Sequence, residues 1–163
     1  MQRTRAAAGT GLFFLLAPCV VAGLVPWWLT GWRVHHAAVG LRVAGVALIA
    51  AGAPVLVEAF VRFAREGRGT PAPVAPTEQL VVGGLYRYVR NPMYLAVLAL
   101  ILGQAAVLGQ PVLLWYAGFV AAAVVTFVKL YEEPALSGRF GARYDAYRRP
   151  VPGWWPRLRP WRG

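Results

Sequence analysis

One cysteine, Cys19, and two histidines, His35 and His36, are all that the 163 residues offer in thiol and imidazole chemistry. A lone thiol makes neither an internal disulfide nor a thiolate cluster, and the adjacent histidines have no third ligand near them in sequence, so no metal is expected. Acid is almost as scarce: six Asp and Glu stand against seventeen Lys and Arg, for a formal charge of +11. The largest gap is in charge of either sign. From Asn91 to Val128 there are 38 consecutive residues without Asp, Glu, Lys or Arg. As one helix that run would be about 57 Å long, nearly twice the roughly 30 Å hydrocarbon core of a bilayer. It must therefore fold back on itself. Gly103, Gly109 and Pro111 are the available breakers, and the turn is expected near Leu108 to Gln110.

Period-2 alternation of a barrel strand is also missing, and the glycines at 83 and 84 do not form a GxGxxG loop between a strand and a helix. Soluble Rossmann-type enzymes are excluded on that ground. What remains is strongly apolar, with 58% hydrophobic residues and a mean hydropathy of +0.51. Backbone groups in lipid must be paired within the chain, which leaves helices. The expected fold is an all-α integral membrane unit occupying residues 1–163 as a single domain. About four transmembrane helices are expected, at approximately 11–30, 39–61, 92–108 and 112–131, with a cytoplasmic loop over 62–91 and a cytoplasmic C-terminal segment over 132–163.

Orientation follows from the cations. Fifteen of the seventeen lie in the N-terminal tail, between Arg62 and Arg90, or from Lys129 onward, and only Arg33 and Arg42 fall toward the other side. The positive-inside rule then puts both termini and the middle loop in the cytoplasm. Because the arginines flank apolar spans and build no soluble basic face, nucleic acid is not an expected partner, whereas membrane lipids are. The opening residues imitate a secretory signal but show no small-x-small cleavage site, and Trp27, Trp28 and Trp32 suit an interfacial belt, so an uncleaved first span is expected. Arg42 is expected to snorkel to the outer headgroups. Residues 67–76 are too rich in Gly and Pro for a helix. Pro134 suggests a restart after span four, with Leu136, Phe140, Tyr144 and Tyr147 on one face of a C-terminal interfacial amphipathic helix. The proline-rich tail from Pro150 brings tryptophans suited to the headgroup layer.

Two polar clusters bracket the uncharged run: Tyr86, Arg87, Tyr88 and Arg90 before it, Glu132 and Glu133 after it. A hairpin returns them to the same side, where they can share a pocket. Planar arginine forks suit a carboxylate or phosphate, carboxylates suit an ammonium or ribose hydroxyls, and a tyrosine ring suits an adenine or a sulfonium. Two adjacent carboxylates at a membrane boundary repel and carry a desolvation penalty that an anchor does not need, so a ligand or arginine partner is expected for them. Glu58 and Arg62 form a favourable i,i+4 pair for which a structural role is the favoured reading.

These residues fall in a spaced pattern. Gly84-Leu-Tyr86, Arg90-Asn-Pro-Met-Tyr94, Glu132-Glu133, Leu136, Phe140-Gly141, Tyr144, Tyr147 and Val151-Pro152 resemble the signature of the integral-membrane isoprenylcysteine carboxyl methyltransferase and phospholipid N-methyltransferase family. The likeness covers roughly residues 78–156. It implies a methyltransferase that uses S-adenosyl-L-methionine at the cytoplasmic membrane face, with a lipid, prenylated or otherwise hydrophobic acceptor arriving sideways from the bilayer. Carried over residue by residue, it implies a cofactor site lined by Glu78, Gln79, Leu80, Val81, Tyr86, Arg90, Asn91, Pro92, Met93, Tyr94 and Glu133. Glu132 and Glu133 are the implied catalytic carboxylates, and Lys129 the implied substrate contact. Two positions depart from the family pattern: Asn91 stands where it has a histidine before proline, and Glu78 where it has a second one. Asparagine hydrogen-bonds but does not accept a proton near neutral pH. Two rival readings of the same scaffold are a sterol-type membrane reductase using NADPH and a non-catalytic lipid-binding membrane protein. The acceptor itself is not legible in the sequence.

Overall fold

The computed structural model describes residues 16–66 and 79–162, and within them every regular element is helical. The expected first-span start at residue 11, the loop over 67–78 including Glu78, and the N-terminal tail lie outside the described residues. Five helices follow in order: α1 (Leu16–Thr30), α2 (Val39–Glu66), α3 (Pro92–Leu108), α4 (Val112–Phe140) and α5 (Ala142–Arg148). Two are long and apolar enough to cross a membrane, α2 over Val39–Arg62 and α4 over Val112–Phe140, and α1 and α3 are shorter apolar helices.

The uncharged run folds as the expected hairpin of α3 and α4. Pro92 opens α3 in its first turn, where the missing N–H has no intrahelical partner to lose. Gly109 closes it in the left-handed conformation, φ 64°, and its N–H reaches Ala105 O. Gly103 breaks nothing. It lies mid-helix against α2, where a Cβ on Gly103 would stand 2.8 Å from Gly45 O and one on Gly45 would stand 2.7 Å from Gly103 O. The two backbones thus touch through glycine, the small-residue contact that tight membrane helix pairs use. Around it, Ile101 and Leu113 are fully buried with Ala105, Leu108 and Ala117 between α1, α3 and α4. The outward faces of α2 and α4 stay apolar and exposed, with Trp115, Phe119 and Leu130 among the most exposed side chains. Apolar residues inside and out are the pattern of a lipid-facing bundle.

α1 is fastened by polar side chains from its neighbours. Its backbone widens to a π-turn at Val20–Leu24, Tyr116 Oη donates to Val21 O at 2.8 Å and Gln104 Nε2 to Ala22 O at 2.6 Å. At the same end, His35 N donates to Leu108 O, Gln110 Nε2 to Arg33 O and Arg42 Nη2 to His35 O, so the α1–α2 loop sits on the α3–α4 turn. The start of α3 and the later turns of α2 and α4 gather at the other end.

Two expectations are corrected there. α2 does not stop at 61 but runs to Glu66, drawing the first residues of the expected loop into helix. α4 does not stop at 131, and Pro134 is no restart. A π-turn over Val128–Glu132 widens the helix, Glu133 N bonds back to Val128 O, and Pro134 enters the next α-turn at its N-terminal edge. The wide turn absorbs the donor that proline lacks and the bulk of its ring. The real break is Gly141, φ 50°, so the expected amphipathic helix is split in two and α5 is only seven residues long. Its aromatic face is buried: Tyr144, Tyr147 and Val151 cluster with Leu80, Val82, Leu136, Phe140 and Trp161.

Candidate functional site

Three segments converge at this end of the bundle. The first is the loop from Gln79 into the 3₁₀ turn Gly84–Arg87. Its side chains alternate: Leu80 and Val82 pack under α5, while Val81 joins Tyr86, Met93 and Ala59 against α2. Gly84 takes φ 53°, and a Cβ there would collide with Glu58 Oε1 and stand 2.6 Å from Arg62 Nε. Only glycine allows the turn to press on α2. Below it Arg62 bridges Glu58 at 3.2 Å and Glu66 at 2.8 Å, and Glu66 Oε2 accepts the Gly83 N–H at 3.2 Å. The expected Glu58–Arg62 pair is therefore present and is one half of a clamp that Glu66 completes.

The second segment is the tail after α5, which lies along residues 87–91. Arg90 N donates to Pro152 O, Arg157 N to Tyr88 O and Trp161 N to Arg87 O, and Arg87 Nε returns a bond to Trp161 O at 2.7 Å. Asn91 is buried and its Nδ2 donates to Gly153 O at 3.1 Å. Asn91 thus ties down the tail. Tyr147 Oη donates to Tyr86 O at 2.6 Å from a buried position, and burial pushes both tyrosine hydroxyls well above the ordinary phenol range, so Tyr147 remains a donor. The tail tryptophans do not act together: Trp154 lies 6.5 Å from Tyr94 and Trp161 5.4 Å from Tyr147, ring to ring, while Trp155 is exposed.

The third segment is the end of α4, where Glu132 and Glu133 differ in their partners. Glu133 has both oxygens engaged, Oε1 by Arg90 Nη1 at 2.7 Å and Oε2 by Arg148 Nη2 at 3.1 Å. Arg90 Nη1 also donates to Tyr144 Oη at 3.1 Å, and Arg90 Nε is buried without a partner. Glu132 accepts one bond, from Tyr94 Oη to Oε2 at 3.1 Å, and its Oε1 has no protein partner among the described residues. One carboxylate is locked by arginines and its neighbour keeps a free oxygen.

Of the residues singled out from sequence, Tyr86, Arg90, Asn91, Tyr94, Glu132 and Glu133 are brought to this junction. Pro92 is buried as the first residue of α3. Leu80, Val81 and Met93 serve in hydrophobic packing beside it, and Gln79 is exposed. Lys129 is exposed on the π-turn and makes no hydrogen bond or ion pair among the described residues. Sequence reasoning missed Arg148, Glu66 and the tail carbonyls of Pro152 and Gly153. Spacing gave no signal for Arg148, because Gly141 reorients α5. Glu66 was findable, four residues beyond Arg62.

No curated protein and no solved structure gives a significant match to the chain. The phospholipid methyltransferase family model does match, over residues 41–143, from the first turn of α2 through the paired glutamates into α5. With well over half of its length matched, the chain belongs to the phospholipid methyltransferase family, whose members are enzymes that use S-adenosyl-L-methionine as methyl donor.

Proposed function

We propose that this protein methylates the headgroup amine of a membrane phospholipid, from the cytoplasmic face of a four-span bundle, with the junction of α3, α4 and the tail as its active site. The observation that supports this most is the split between the glutamates: Glu133 held by two arginines, Glu132 with an open oxygen.

The residues fit the cofactor. Arg90 Nε is a buried donor awaiting an acceptor, as a carboxylate would supply. The backbone from Asn91 to Tyr94 follows Arg90 directly and is offered for the nucleoside portion, while the ring of Tyr86, buried with Ala59, Val81 and Met93 against α2, supports the loop beside it. When bound, S-adenosyl-L-methionine supplies a methyl group already activated by its sulfonium, so the protein's work is placement and exclusion of water. Glu133 acts as a positioning residue that aims Arg90. Glu132 is the catalytic base: an amine headgroup reaches the membrane surface as an ammonium and must shed a proton to become a nucleophile, and Glu132 Oε1 is free to take it. Tyr94, donating to the other oxygen, fixes the carboxylate's orientation. An arginine-locked carboxylate is poorly suited to that exchange, which separates the roles of the pair.

Charge supports the orientation. The site end carries Arg62, Arg65, Arg87, Arg90 and the arginines of α5 and the tail, the opposite end Arg33 and Arg42, which supports a cytoplasmic site under the positive-inside rule. The test is transfer of labelled methyl from the cofactor by purified protein offered extracted membrane lipid together with a prenylated peptide. Label in a phosphatidylethanolamine product supports the proposal. Label confined to a prenylated peptide, or binding of NADPH in place of S-adenosylhomocysteine, overturns it.

A further inference from the structure

We infer that α5 and the C-terminal tail form a docking surface for an anionic lipid leaflet, with Trp155 and Leu158 as its apolar tips and the surrounding arginines as its charge. The tail is proline-rich yet firmly placed. It is fixed at Pro152 and Gly153, at Arg157 and at Trp161 by hydrogen bonds to residues 87–91. Between those anchors the outward side chains are presented, not buried. Leu158 is 98% and Trp155 80% exposed, although Trp154 and Trp161 on the same segment turn inward onto Tyr94 and Tyr147. Two large apolar side chains left exposed on an ordered segment signify an interaction surface.

The charge around them selects the occupant. Residues 134–162 contain seven arginines, at 139, 143, 148, 149, 157, 159 and 162, against one acid, Asp145. Arg148 is engaged by Glu133, while Arg139, Arg143, Arg149, Arg159 and Arg162 are exposed. Arginine beside tryptophan and leucine is the composition that combines attraction to anionic headgroups with shallow apolar insertion. The helices bring this surface to the membrane boundary in any case, because α4 continues into the segment that bears it. A leaflet is thus favoured over a soluble acidic protein. Since the same tail is bonded to Arg90 and Asn91, a leaflet that holds the tail also steadies the junction beneath it.

The inference rests on the membrane-embedded reading above but not on the chemistry of Glu132. Its test uses the full chain with Cys19→Ser and a nitroxide attached at Leu158→Cys, or in a second sample at Trp155→Cys, reconstituted in phosphatidylcholine vesicles with or without phosphatidylglycerol. Spin relaxation by oxygen against a water-soluble nickel chelate reads depth. Expected is a several-fold rise in the oxygen-to-chelate ratio at both sites when phosphatidylglycerol is present, reversed by high salt and lost with Arg159→Glu plus Arg162→Glu. Labels that stay chelate-accessible in the anionic vesicles overturn the inference and would suit a surface for a soluble partner. Insertion equal in both lipids, or insensitive to the charge reversal, also overturns it. Titrating S-adenosylhomocysteine into the same vesicles keeps the two proposals apart: binding with both labels in water refutes the surface alone, whereas inserted labels without binding refute the cofactor site alone.

Discussion

Replacing Glu133 by glutamine keeps the size of the side chain and one acceptor oxygen but removes the charge that Arg90 faces. Both partners are largely buried, their side chains 15% and 14% exposed, and their contact is short at 2.7 Å. Charge-assisted hydrogen bonds in such settings contribute about 1.5–3 kcal/mol. The second contact adds less, because Arg148 is 48% exposed and solvent screening holds pairs of that kind below about 1 kcal/mol. Tyr144 and the Pro152 carbonyl still hold Arg90, so the fold survives and the loss appears in aim. If about 2 kcal/mol of that aim is used by the cofactor's carboxylate, S-adenosylhomocysteine binds roughly thirty-fold more weakly. Calorimetric titration of the detergent-purified variant measures this, with the helical circular-dichroism melt as the check on folding. Arg148→Gln is the internal comparison and is expected to weaken binding by less than about five-fold. A double-mutant cycle between Glu133→Gln and Arg90→Gln should show non-additivity well above the roughly 0.5 kcal/mol of independent sites. A folded Glu133→Gln protein with wild-type affinity would refute the assignment of Glu133 as the residue that aims Arg90.

Glu132→Gln should behave differently, with turnover falling by about 10²–10⁴-fold and S-adenosylhomocysteine affinity little changed; the reverse pattern in steady-state kinetics and titration would exchange the roles of the two carboxylates. Gly84→Ala puts a methyl into Glu58 and Arg62 at a positive φ, and should destabilise by about 1–3 kcal/mol, read as a lower midpoint in thermal unfolding; no shift would mean that the turn does not press on α2. Gly153→Ala introduces a Cβ 3.2 Å from Arg90 Nη2 and 3.5 Å from Asn91 Nδ2. It should loosen the tail, seen as faster proteolysis after residue 153 with the helical spectrum unchanged. Gln104→Leu removes the donor to Ala22 O and the acceptor for Trp32 Nε1, and should lower stability by about 0.6–2 kcal/mol in detergent unfolding without altering cofactor affinity.

The hairpin was legible because it needs only arithmetic: an uncharged run too long for one span, with Gly109 and Pro111 near its middle. Gly103 looked equally able to break it, and only the glycine contact with Gly45 shows that its lack of a side chain serves packing. The convergence of Arg90 with Glu133 followed from the same fold-back. Pro134 misled because a proline after an apolar run ordinarily stops a helix, whereas a π-turn beneath it lets α4 continue. The tryptophans of the tail mark it as membrane-seeking. Its backbone bonds to residues 87–91 depend on an alignment between distant segments that composition does not encode, and those bonds turn Trp154 and Trp161 inward. The resemblance implies a place near the cofactor for Leu80 and Val81, and in the structure the two pack to opposite sides of the loop.

The π-turn at Val128–Glu132 inserts one residue's worth of extra winding between the lipid-facing length of α4 and its acidic pair. Everything beyond it is indexed by roughly 100° relative to an uninterrupted helix. Which way Glu132 and Glu133 point is therefore a matter of helical phase, set separately from the apolar stripe above. Removing one residue from that turn would leave the span's composition nearly intact while swinging both carboxylates away from Tyr94 and Arg90, so a length change of one within an apolar helix would part the acids from their partners without altering either acid.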